Sequence, residues 1–391
     1  MGCGGSAEEE LTAQEMALYD RQIRVWGVDA QKRLSKAHVL VCGMNGTTTE
    51  FCKNIVLAGV GSLSLMDDHL VTEDDLYANF LIPHDESIYG GRSRAEVCCE
   101  SLKDFNPMVR VAVEKGDPSQ ISGEYLEKFD IIVVSCASIK TKLLINDHCR
   151  KRTKHIAFYT IECKDSCGEI FVDLQNHSYV QKVGGEPKPK ELTYPSLQEA
   201  ISVPWKNLPR KTTKLYFAMR VLENYELSEG RSAFEASLSD LPAVLALRKE
   251  MCDKMSLSES QIPTSLLERL LAAGMKQHPP VSAILGGILG QEVVKAISGK
   301  GDPIKNFFYY DAADGVIIIG TTRIGHTVLQ AKERRAMRPI TLLPRGKGIE
   351  GYCFQQGTKF RGDRLQLTGK FNYLTLLYLA TPQMPLLGLY L

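Results

Sequence analysis

A short glycine loop is the first place in this sequence where residue type and spacing point to chemistry. It reads Gly43-Met-Asn-Gly46-Thr-Thr48 and follows an apolar run at 38–42 that is typical of a buried strand. Backbone amides in such a loop, together with the N-terminus of a following helix, bind phosphate. Asp67 lies about twenty residues further on, where a ribose-binding acid is found in nucleotide sites. Gly43, Gly46 and Asp67 are therefore the candidate nucleotide-binding residues.

The same loop departs from the usual pattern at its last glycine position, which Thr48 occupies. A β-branched side chain there crowds the approach of a phosphate or the packing of the helix. A single glycine loop predicts a nucleotide site no more strongly than it predicts a turn kept for the fold. Both interpretations stay open on these residues alone.

Cysteines are the other candidates for chemistry, and the chain has 11 of them: Cys3, Cys42, Cys52, Cys98, Cys99, Cys136, Cys149, Cys163, Cys167, Cys252 and Cys353. A catalytic thiol needs exposure and a lowered pKa. Several of these cysteines lie on or beside apolar runs instead, which indicates core positions. No Cys-x-x-Cys pair occurs, so we expect no zinc site. The odd number and the scatter indicate a reducing compartment.

The elements that position these residues alternate between strand and helix. Strands are predicted at 38–42, 62–66, 109–113, 129–134 and 155–160. Helices are predicted at 13–36, 48–57, 93–105 and 141–150. This alternation predicts an α/β fold with a doubly wound, Rossmann-like sheet.

The pattern changes after Cys167. Residues 179–191 are polar and rich in glycine and proline, which predicts an exposed loop, and helical spacing follows up to about residue 277. An apolar helix at 279–297 and a strand at 306–310 then return to the first pattern. Gly286, Gly287 and Gly290 in that helix predict close packing on the sheet. The predicted division is a flexible N-terminus (1–12), a Rossmann-like domain (13–167), a mainly helical insertion (168–277), a return to the first fold (278–320) and a tail (321–391).

Composition limits the possible classes of protein. The 391 residues include 47 Lys/Arg and 46 Asp/Glu, giving a net charge of +1, and 44% of the residues are hydrophobic. That apolar content excludes a wholly disordered chain, and the balanced charge argues against a nucleic-acid-binding protein. The tail at 321–391 differs, since it holds 11 Lys/Arg against 3 Asp/Glu.

The two ends carry weak membrane signals. Met1-Gly2-Cys3-Gly-Gly-Ser6 matches an N-myristoylation pattern, with Cys3 available for a second lipid. Residues 371–391 carry no charge and have the length of a membrane anchor, but Pro382 and Pro385 interrupt them. We expect a flexible N-terminus, a poorly ordered tail and no membrane partner.

Three segments carry a resemblance to a known family. They are Leu18-Tyr-Asp-Arg21-Gln-Ile-Arg-Val-Trp26-Gly27, the Gly-Gly-Ile-Leu-Gly-Gln-Glu stretch at 286–292, and Asn306-Phe-Phe-Tyr-Tyr-Asp311. With shorter matches at 53–60 and 104–109, they make residues 17–315 similar to the activating enzymes of ubiquitin-like proteins, in the superfamily of ThiF and MoeB. The chain most resembles the smaller, non-catalytic subunits of heterodimeric SUMO-activating enzymes, in a plant-like form.

The resemblance implies a Rossmann-like sheet of the adenylation type and several ATP-site positions, which this sequence fills differently. Residues 75–81 match a phosphate-binding segment, but its arginine is Ala78, which has no donor, and its glutamine is Asn79. Arg94 stands in place of a lysine, so positive charge survives there without the compact ammonium. Ala137 stands in place of the acid that supports magnesium.

These departures, with Thr48, predict that the chain does not complete an ATP site of its own. The loop around Gly43 and Gly46, with Asp67, is then a degenerate nucleotide site. We expect no cofactor and no metal on this subunit, because ATP and Mg²⁺ bind the partner subunit. The resemblance also assigns the catalytic cysteine to that larger subunit.

Arg21 is the exception among the site residues. The resemblance places it at the subunit interface, where its guanidinium reaches the ATP bound by the partner in the manner of an arginine finger. The alternative is an ordinary surface ion pair with Asp20 or Glu15. Arg21, acting in trans, is the predicted catalytic residue.

The predicted partners are the large catalytic subunit of a SUMO-activating enzyme and SUMO itself, with no nucleic acid. The resemblance implies a nuclear protein, with the cytoplasm as a second compartment. Three alternatives to a subunit of a SUMO-activating enzyme stay open. They are a regulatory subunit for a Nedd/Rub-type modifier, a self-sufficient nucleotide-binding enzyme that uses the Gly43 loop, and a scaffold that no longer pairs.

Overall fold

The described strands up to residue 320 fall into two groups along the chain, eight before residue 194 and two after residue 306. They are β1 (His38–Cys42), β2 (Ser62–Met66), β3 (Arg110–Val113), β4 (Ile131–Val134), β5 (Ala157–Lys164), β6 (Cys167–Asp173), β7 (Asn176–Val183), β8 (Glu186–Thr193), β9 (Phe307–Asp311) and β10 (Val316–Gly320). This computed structural model describes residues 10–85, 87, 90–183, 186–313, 316–320, 351–352 and 359–360.

The described helices flank these strands. They are α1 (Ala13–Leu18), α2 (Asp20–Trp26), α3 (Val28–Leu34), α4 (Gly46–Leu57), α5 (Arg94–Lys103), α6 (Gly123–Leu126), α7 (Ile139–Arg150), α8 (Leu197–Ile201), α9 (Lys214–Ser228), α10 (Leu241–Met255), α11 (Thr264–Ala273) and α12 (Pro279–Ser298).

The central sheet has eight strands in the order β10-β9-β6-β5-β4-β1-β2-β3. The five from β3 to β5 run parallel, while β5–β6, β6–β9 and β9–β10 pair antiparallel. Helices α4, α5, α6 and α7 lie on the four connections between successive strands of the parallel half. This arrangement confirms the predicted doubly wound α/β fold. Strand order reverses between β1 and β4, so a ligand crevice is expected at their carboxyl ends.

Both faces of the sheet are buried, which explains why its strands read as continuous apolar runs. On β1, Val39 and Val41 join the core on one face, while Leu40 and Cys42 join the core on the other. Helices α4, α5 and α12 supply the first core, and α7, α9, α10 and α11 supply the second. The fully apolar strands therefore lie where helices cover both sides.

Helix α12 packs closely on α4, and this corrects the predicted role of its glycines. A Cβ on Gly286 would lie 2.6 Å from Glu50 Cβ and 2.7 Å from the Phe51 nitrogen, both on α4. Gly290 faces Asn54, also on α4, at 3.3 Å, while Gly287 has open space around it. The small residue between helix and sheet is instead Gly168, on β6. Among the described residues, α12 alone has the length and apolarity of a membrane span, yet it lies in the core.

The predicted loop at 179–191 is wrong, because β7 and β8 form an antiparallel hairpin. His177 and Tyr179 are buried while Ser178 and Val180 are exposed, an alternation that the nearby glycines and prolines concealed. The prolines lie on β8, whose residues are mostly exposed, and prolines are tolerated on an edge strand.

The predicted start of the insertion at residue 168 is also wrong. Strand β6 belongs to the central sheet, where Cys167 pairs with Lys164 of β5. The helical region therefore begins after the hairpin, at α8, and runs to α11. The composition changes at Cys167, which suggested a domain boundary there. The chain nevertheless continues in the central sheet, because β6 pairs with β5 across a tight turn.

The chain divides into two units, 1–335 and 336–391. In the second, β11 (Gly351–Tyr352) and β12 (Lys359–Phe360) pair antiparallel. The predictions for the lipidation signal at 1–6 and the apolar segment at 371–391 lie outside the described residues.

Candidate functional site

The glycine loop lies at the predicted crevice, between β1 and the start of α4. Gly43 has φ +87°, and a Cβ there would lie 2.3 Å from the carbonyl oxygen of Ser135, which follows β4. A glycine is needed because both the backbone angle and the neighbouring strand exclude a side chain. Gly43 thus permits a close approach of β1 and β4 at their carboxyl ends.

The loop amides of Met44, Asn45, Thr47 and Thr48 already have partners within the chain. The Asn45 side chain caps α4, accepting from the amides of Thr47 at 2.9 Å and Thr48 at 3.0 Å. Thr47 also donates to Gln277 Oε1 at 3.2 Å. Met44 donates its amide to Asp67 Oδ2 at 2.7 Å. An incoming anion would have to displace oxygen atoms that the protein itself supplies.

Thr48 and Ala78, two positions that differ from the family pattern, also help to keep an anion out of the loop. Thr48 Oγ1 donates to the Gly43 carbonyl at 2.9 Å and accepts from the Asn45 amide at 2.9 Å, so it buttresses the loop. Ala78 lies against Gly46, where an added Cβ would come within 2.6 Å of the Ala78 Cβ. The segment that resembles a phosphate-binding one therefore covers the loop.

Asp67 is brought to the loop as predicted, but its carboxylate serves the fold. It is buried, and besides the Met44 amide it accepts from the His69 amide at 3.0 Å and His69 Nδ1 at 2.8 Å. The hydrogen bond with Asp67 raises the pKa of His69, whose side chain is largely exposed. Sequence reasoning missed His69, although an aspartate two residues before it is a local signal for an Asx turn.

The side chains of Arg94 and Asn79 also bind polar groups of this chain. Arg94 Nε lies 2.9 Å from Asp75 Oδ1, and its Nη1 lies 4.0 Å from Asp67 Oδ2. Burial opposes the charge of Arg94, but the two acids outweigh it and raise the pKa of the guanidinium. Asn79 is buried and accepts from Thr49 Oγ1 at 3.0 Å. The surviving polar groups thus stabilise the chain's own loop.

Ala137, which the resemblance places where an acid would support magnesium, lines a cavity of about 20 Å³, room for one water molecule. Lys142 Nζ and Glu162 Oε1 also line it and lie 2.6 Å apart, so an ammonium supplies positive charge here. Among the residues the structure describes, no three His, Cys, Asp or Glu side chains are grouped to hold a metal ion.

Arg21 lies on the exposed side of α2, which is anchored on α4 by its other side. Gln22 is buried and donates to the Leu57 carbonyl at 3.2 Å, and the Tyr19 ring packs against Gly59. Leu18, the last residue of α1, and Val25 of α2 are 54% and 44% exposed, three residues before and four residues after Arg21. The recognised segment thus buries its tyrosine and glutamine and presents an arginine between two apolar side chains.

A family model now identifies the chain's relationship, since the ThiF family matches residues 19–324. The chain belongs to the ThiF family. The match extends a few residues past 315, the predicted end of the similarity, and covers the whole eight-stranded sheet.

Relatives within the ThiF family match over nearly their whole length. The chain is 62% identical over 307 residues to SUMO-activating enzyme subunit 1A of Arabidopsis thaliana, covering 78% of this chain and 95% of that protein. It is 60% identical over 311 residues to subunit 1B-1 of the same plant, covering 80% and 97%. It is 32% identical over 342 residues to SUMO-activating enzyme subunit 1 of Homo sapiens, covering 80% and 95%.

Thiol chemistry is disfavoured at every described cysteine of this ThiF-family chain. Eight of the nine are buried, and Cys136 is half-buried. Burial raises the pKa of all nine: Cys42, Cys52, Cys98, Cys99, Cys136, Cys149, Cys163, Cys167 and Cys252. A nucleophilic thiol needs the opposite shift.

Asp67→Asn is expected to destabilise the chain by about 1–3 kcal/mol, because an amide cannot accept on both sides as a carboxylate does. One of the donors, from Met44 or His69, then faces an NH₂ group. Denaturant unfolding of the full chain measures the loss. Asp74→Asn, at an exposed acid of the same region, is the matched control. Equal stabilities of the two variants would contradict a structural role for Asp67.

Proposed function

We propose that this chain is the smaller, non-catalytic subunit of a SUMO-activating enzyme. It would support ATP-dependent adenylation of the SUMO C-terminus and thioester formation on a larger partner subunit. The observation that carries the proposal is 62% identity to a plant SUMO-activating enzyme subunit 1A, of which 95% is covered. A protein named subunit 1 implies a partner subunit.

The closed loop supports a division of labour between the two subunits. Asn45, Asp67 and Gln277 accept from the amides of Met44, Thr47 and Thr48, which a phosphate bound here would need. Ala78 and Ala137 offer no donor and no metal ligand. In the proposed enzyme, the large catalytic subunit therefore binds ATP, Mg²⁺ and the reacting SUMO carboxyl, and this chain binds no cofactor.

Arg21 is this chain's proposed contribution to the reaction. Its guanidinium would reach across the interface to the ATP of the partner and stabilise the negative charge that develops on phosphate. Its exposed position between Leu18 and Val25 suits a partner surface that takes two apolar contacts beside the arginine. We place the assembled enzyme in the nucleus, with the cytoplasm as a second compartment.

SUMO-dependent ATP–pyrophosphate exchange tests this proposal. The chain alone is expected to give no exchange, and ATP with Mg²⁺ is expected to leave its melting temperature unchanged, since a ligand that does not bind cannot stabilise. Mixed with the large subunit, the chain should form a one-to-one complex that exchanges. Exchange by this chain alone would establish the self-sufficient enzyme instead.

Two more measurements distinguish a SUMO-specific subunit from a Nedd/Rub-type subunit and from a scaffold that no longer pairs. A Nedd/Rub-type modifier in place of SUMO should give little exchange, and a preference for it would reassign the subunit. Size-exclusion chromatography of the mixture reports pairing. Absence of a complex would favour the scaffold.

A further inference from the structure

Helix α2, which carries Arg21, is fixed to the C-terminal end of α4 by side-chain amides. The last carbonyls of an α-helix lack an amide one turn further along the helix, so side chains can donate to them instead. Three successive carbonyls of α4 and its C-cap accept in this way: Val56 from Asn106 at 2.9 Å, Leu57 from Gln22 at 3.2 Å, and Ala58 from Gln31 at 3.0 Å. All three donating amides are buried.

Asn106 also holds the residue at which α2 begins. Besides the Val56 carbonyl, its Nδ2 donates to the Tyr19 hydroxyl at 2.9 Å, and its Oδ1 accepts from the Met108 amide at 3.1 Å. An asparagine amide has two donors and one acceptor group, and all of them are used here. Asn106 is itself fixed on both sides, and it therefore restricts where the Tyr19 hydroxyl can lie.

Tyr19 joins α1 to α2. Its amide donates to the Glu15 carbonyl at 2.9 Å, and its carbonyl accepts from the Ile23 amide at 2.9 Å, in the first turn of α2. Its side chain is buried against Gly59, where an added Cβ would lie 2.6 Å from the Tyr19 hydroxyl oxygen. Gly59 has φ +82°, which also requires glycine. The position of the Tyr19 ring thus sets the start of α2, two residues before Arg21.

Three segments that carry the family resemblance, 18–27, 53–60 and 104–109, meet at this hydroxyl. Stability alone does not require a polar contact here, because a pair of buried polar groups can be replaced by apolar groups of the same shape at little cost. A satisfied buried hydrogen bond does something that apolar packing does not, since it selects one arrangement of the groups it joins. The contact between Asn106 and Tyr19 is therefore suited to orienting α2.

We propose that Asn106 is a positioning residue for Arg21. It acts through the Tyr19 hydroxyl, which fixes the start of α2 and with it the direction in which Arg21 leaves the surface. This inference rests on the proposed role of Arg21 in trans, at the ATP of the partner subunit. A guanidinium stabilises a developing charge only at hydrogen-bonding distance, and a displacement of about 1 Å can cost about 10²-fold in rate.

Tyr19→Phe tests the proposal, because it removes the hydroxyl and keeps the ring. In the heterodimer with the large subunit, it should slow single-turnover formation of the SUMO adenylate about tenfold at saturating ATP. The ATP concentration for half-maximal rate should not change, since the lost interaction belongs to the transition state. Asn106→Ala removes the same contact from the other side and should slow the reaction at least as much. It keeps the proposal testable if Tyr19→Phe does not assemble.

Coupling to Arg21 distinguishes positioning from a role in stability alone. In an Arg21→Ala chain, Tyr19→Phe should cause no further slowing, because no guanidinium is left to misplace. A tenfold slowing in both backgrounds would overturn the proposal. So would a normal rate for Tyr19→Phe and Asn106→Ala where Arg21→Ala is slow, and that result would leave the role of Arg21 intact. An unchanged rate for Arg21→Ala would remove the role in trans and this inference with it.

Tyr194→Phe is the matched control. The Tyr194 hydroxyl is also buried, and it donates to the Ile304 carbonyl at 2.9 Å, outside α2 and its contacts. Its loss should lower the melting temperature of the chain by an amount comparable to that of Tyr19→Phe, with no change in the rate of adenylation. Equal slowing by Tyr194→Phe would show that the rate follows stability, and would overturn the assignment of Asn106.

Discussion

Arg21→Ala is expected to slow formation of the SUMO adenylate by about 10²-fold in a heterodimer that still assembles. In the proposed enzyme, the variant removes a permanently charged donor from the phosphate at which negative charge develops. The Gln22 and Tyr19 contacts that anchor α2 stay in place, so the surface itself should survive. Arg21→Lys should recover only part of the rate, because a single ammonium cannot reproduce the planar fork.

Single-turnover adenylate formation at saturating ATP is the measurement, with assembly checked by size exclusion. Arg24→Ala is the matched control, since Arg24 lies on the same helix in an exposed ion pair with Asp20 at 2.9 Å. Such pairs contribute under about 1 kcal/mol to stability, and the rate should not change. An unchanged rate for Arg21→Ala in an intact complex would make Arg21 an ordinary surface residue.

Gly286→Ala should destabilise the chain by about 1–3 kcal/mol, the usual cost of an overpacked core. The new methyl group meets Glu50 Cβ at 2.6 Å and the backbone of Phe51 at 2.7 Å. Backbone cannot rotate away as a flexible side chain can, so α12 and α4 must move apart. The better helix propensity of alanine, worth about 1 kcal/mol, offsets only part of this.

Gly287→Ala, one residue along the same helix, is the control for that prediction. An added Cβ there meets nothing within 4 Å, so only the gain in helix propensity remains. Denaturant unfolding should therefore order the proteins as Gly287→Ala, wild type and Gly286→Ala, from most to least stable. Equal stabilities of the two variants would show that the two helices do not need this close contact.

The buried strands could be predicted from sequence because each one leaves a continuous apolar run within its own residues. Both β1 and β2 occupy the predicted residues, since a strand covered on both faces must be apolar throughout. The hairpin of β7 and β8 could not be predicted in the same way. Its stability comes from pairing and from packing of His177 and Tyr179, while its composition resembles that of a loop.

The internal hydrogen bonds of the glycine loop could be predicted from the sequence only in part. Asn45, three residues before Thr48, is a local capping signal that favours a satisfied helix N-terminus over an open one. Gln277 is 230 residues away from Thr47, and nothing local connects them. Ala78 and Ala137 predict that this chain lacks an ATP site, but only the structure reveals which of its own groups bind the loop amides instead.

The pairing of β6 with β9 has a consequence for how this chain can change in evolution. Phe171 and Phe307 are neighbours in the sheet, so the chain between them, which includes the hairpin, helices α8–α11 and the core helix α12, returns to the place where it left the sheet. Doubling the length of a flexible excursion costs only about 0.6 kcal/mol in closure entropy. A longer connection between the helices of this stretch would therefore leave the register of the sheet unchanged, whereas loss of α9, α10 or α11 would uncover the face of the parallel strands on which they pack.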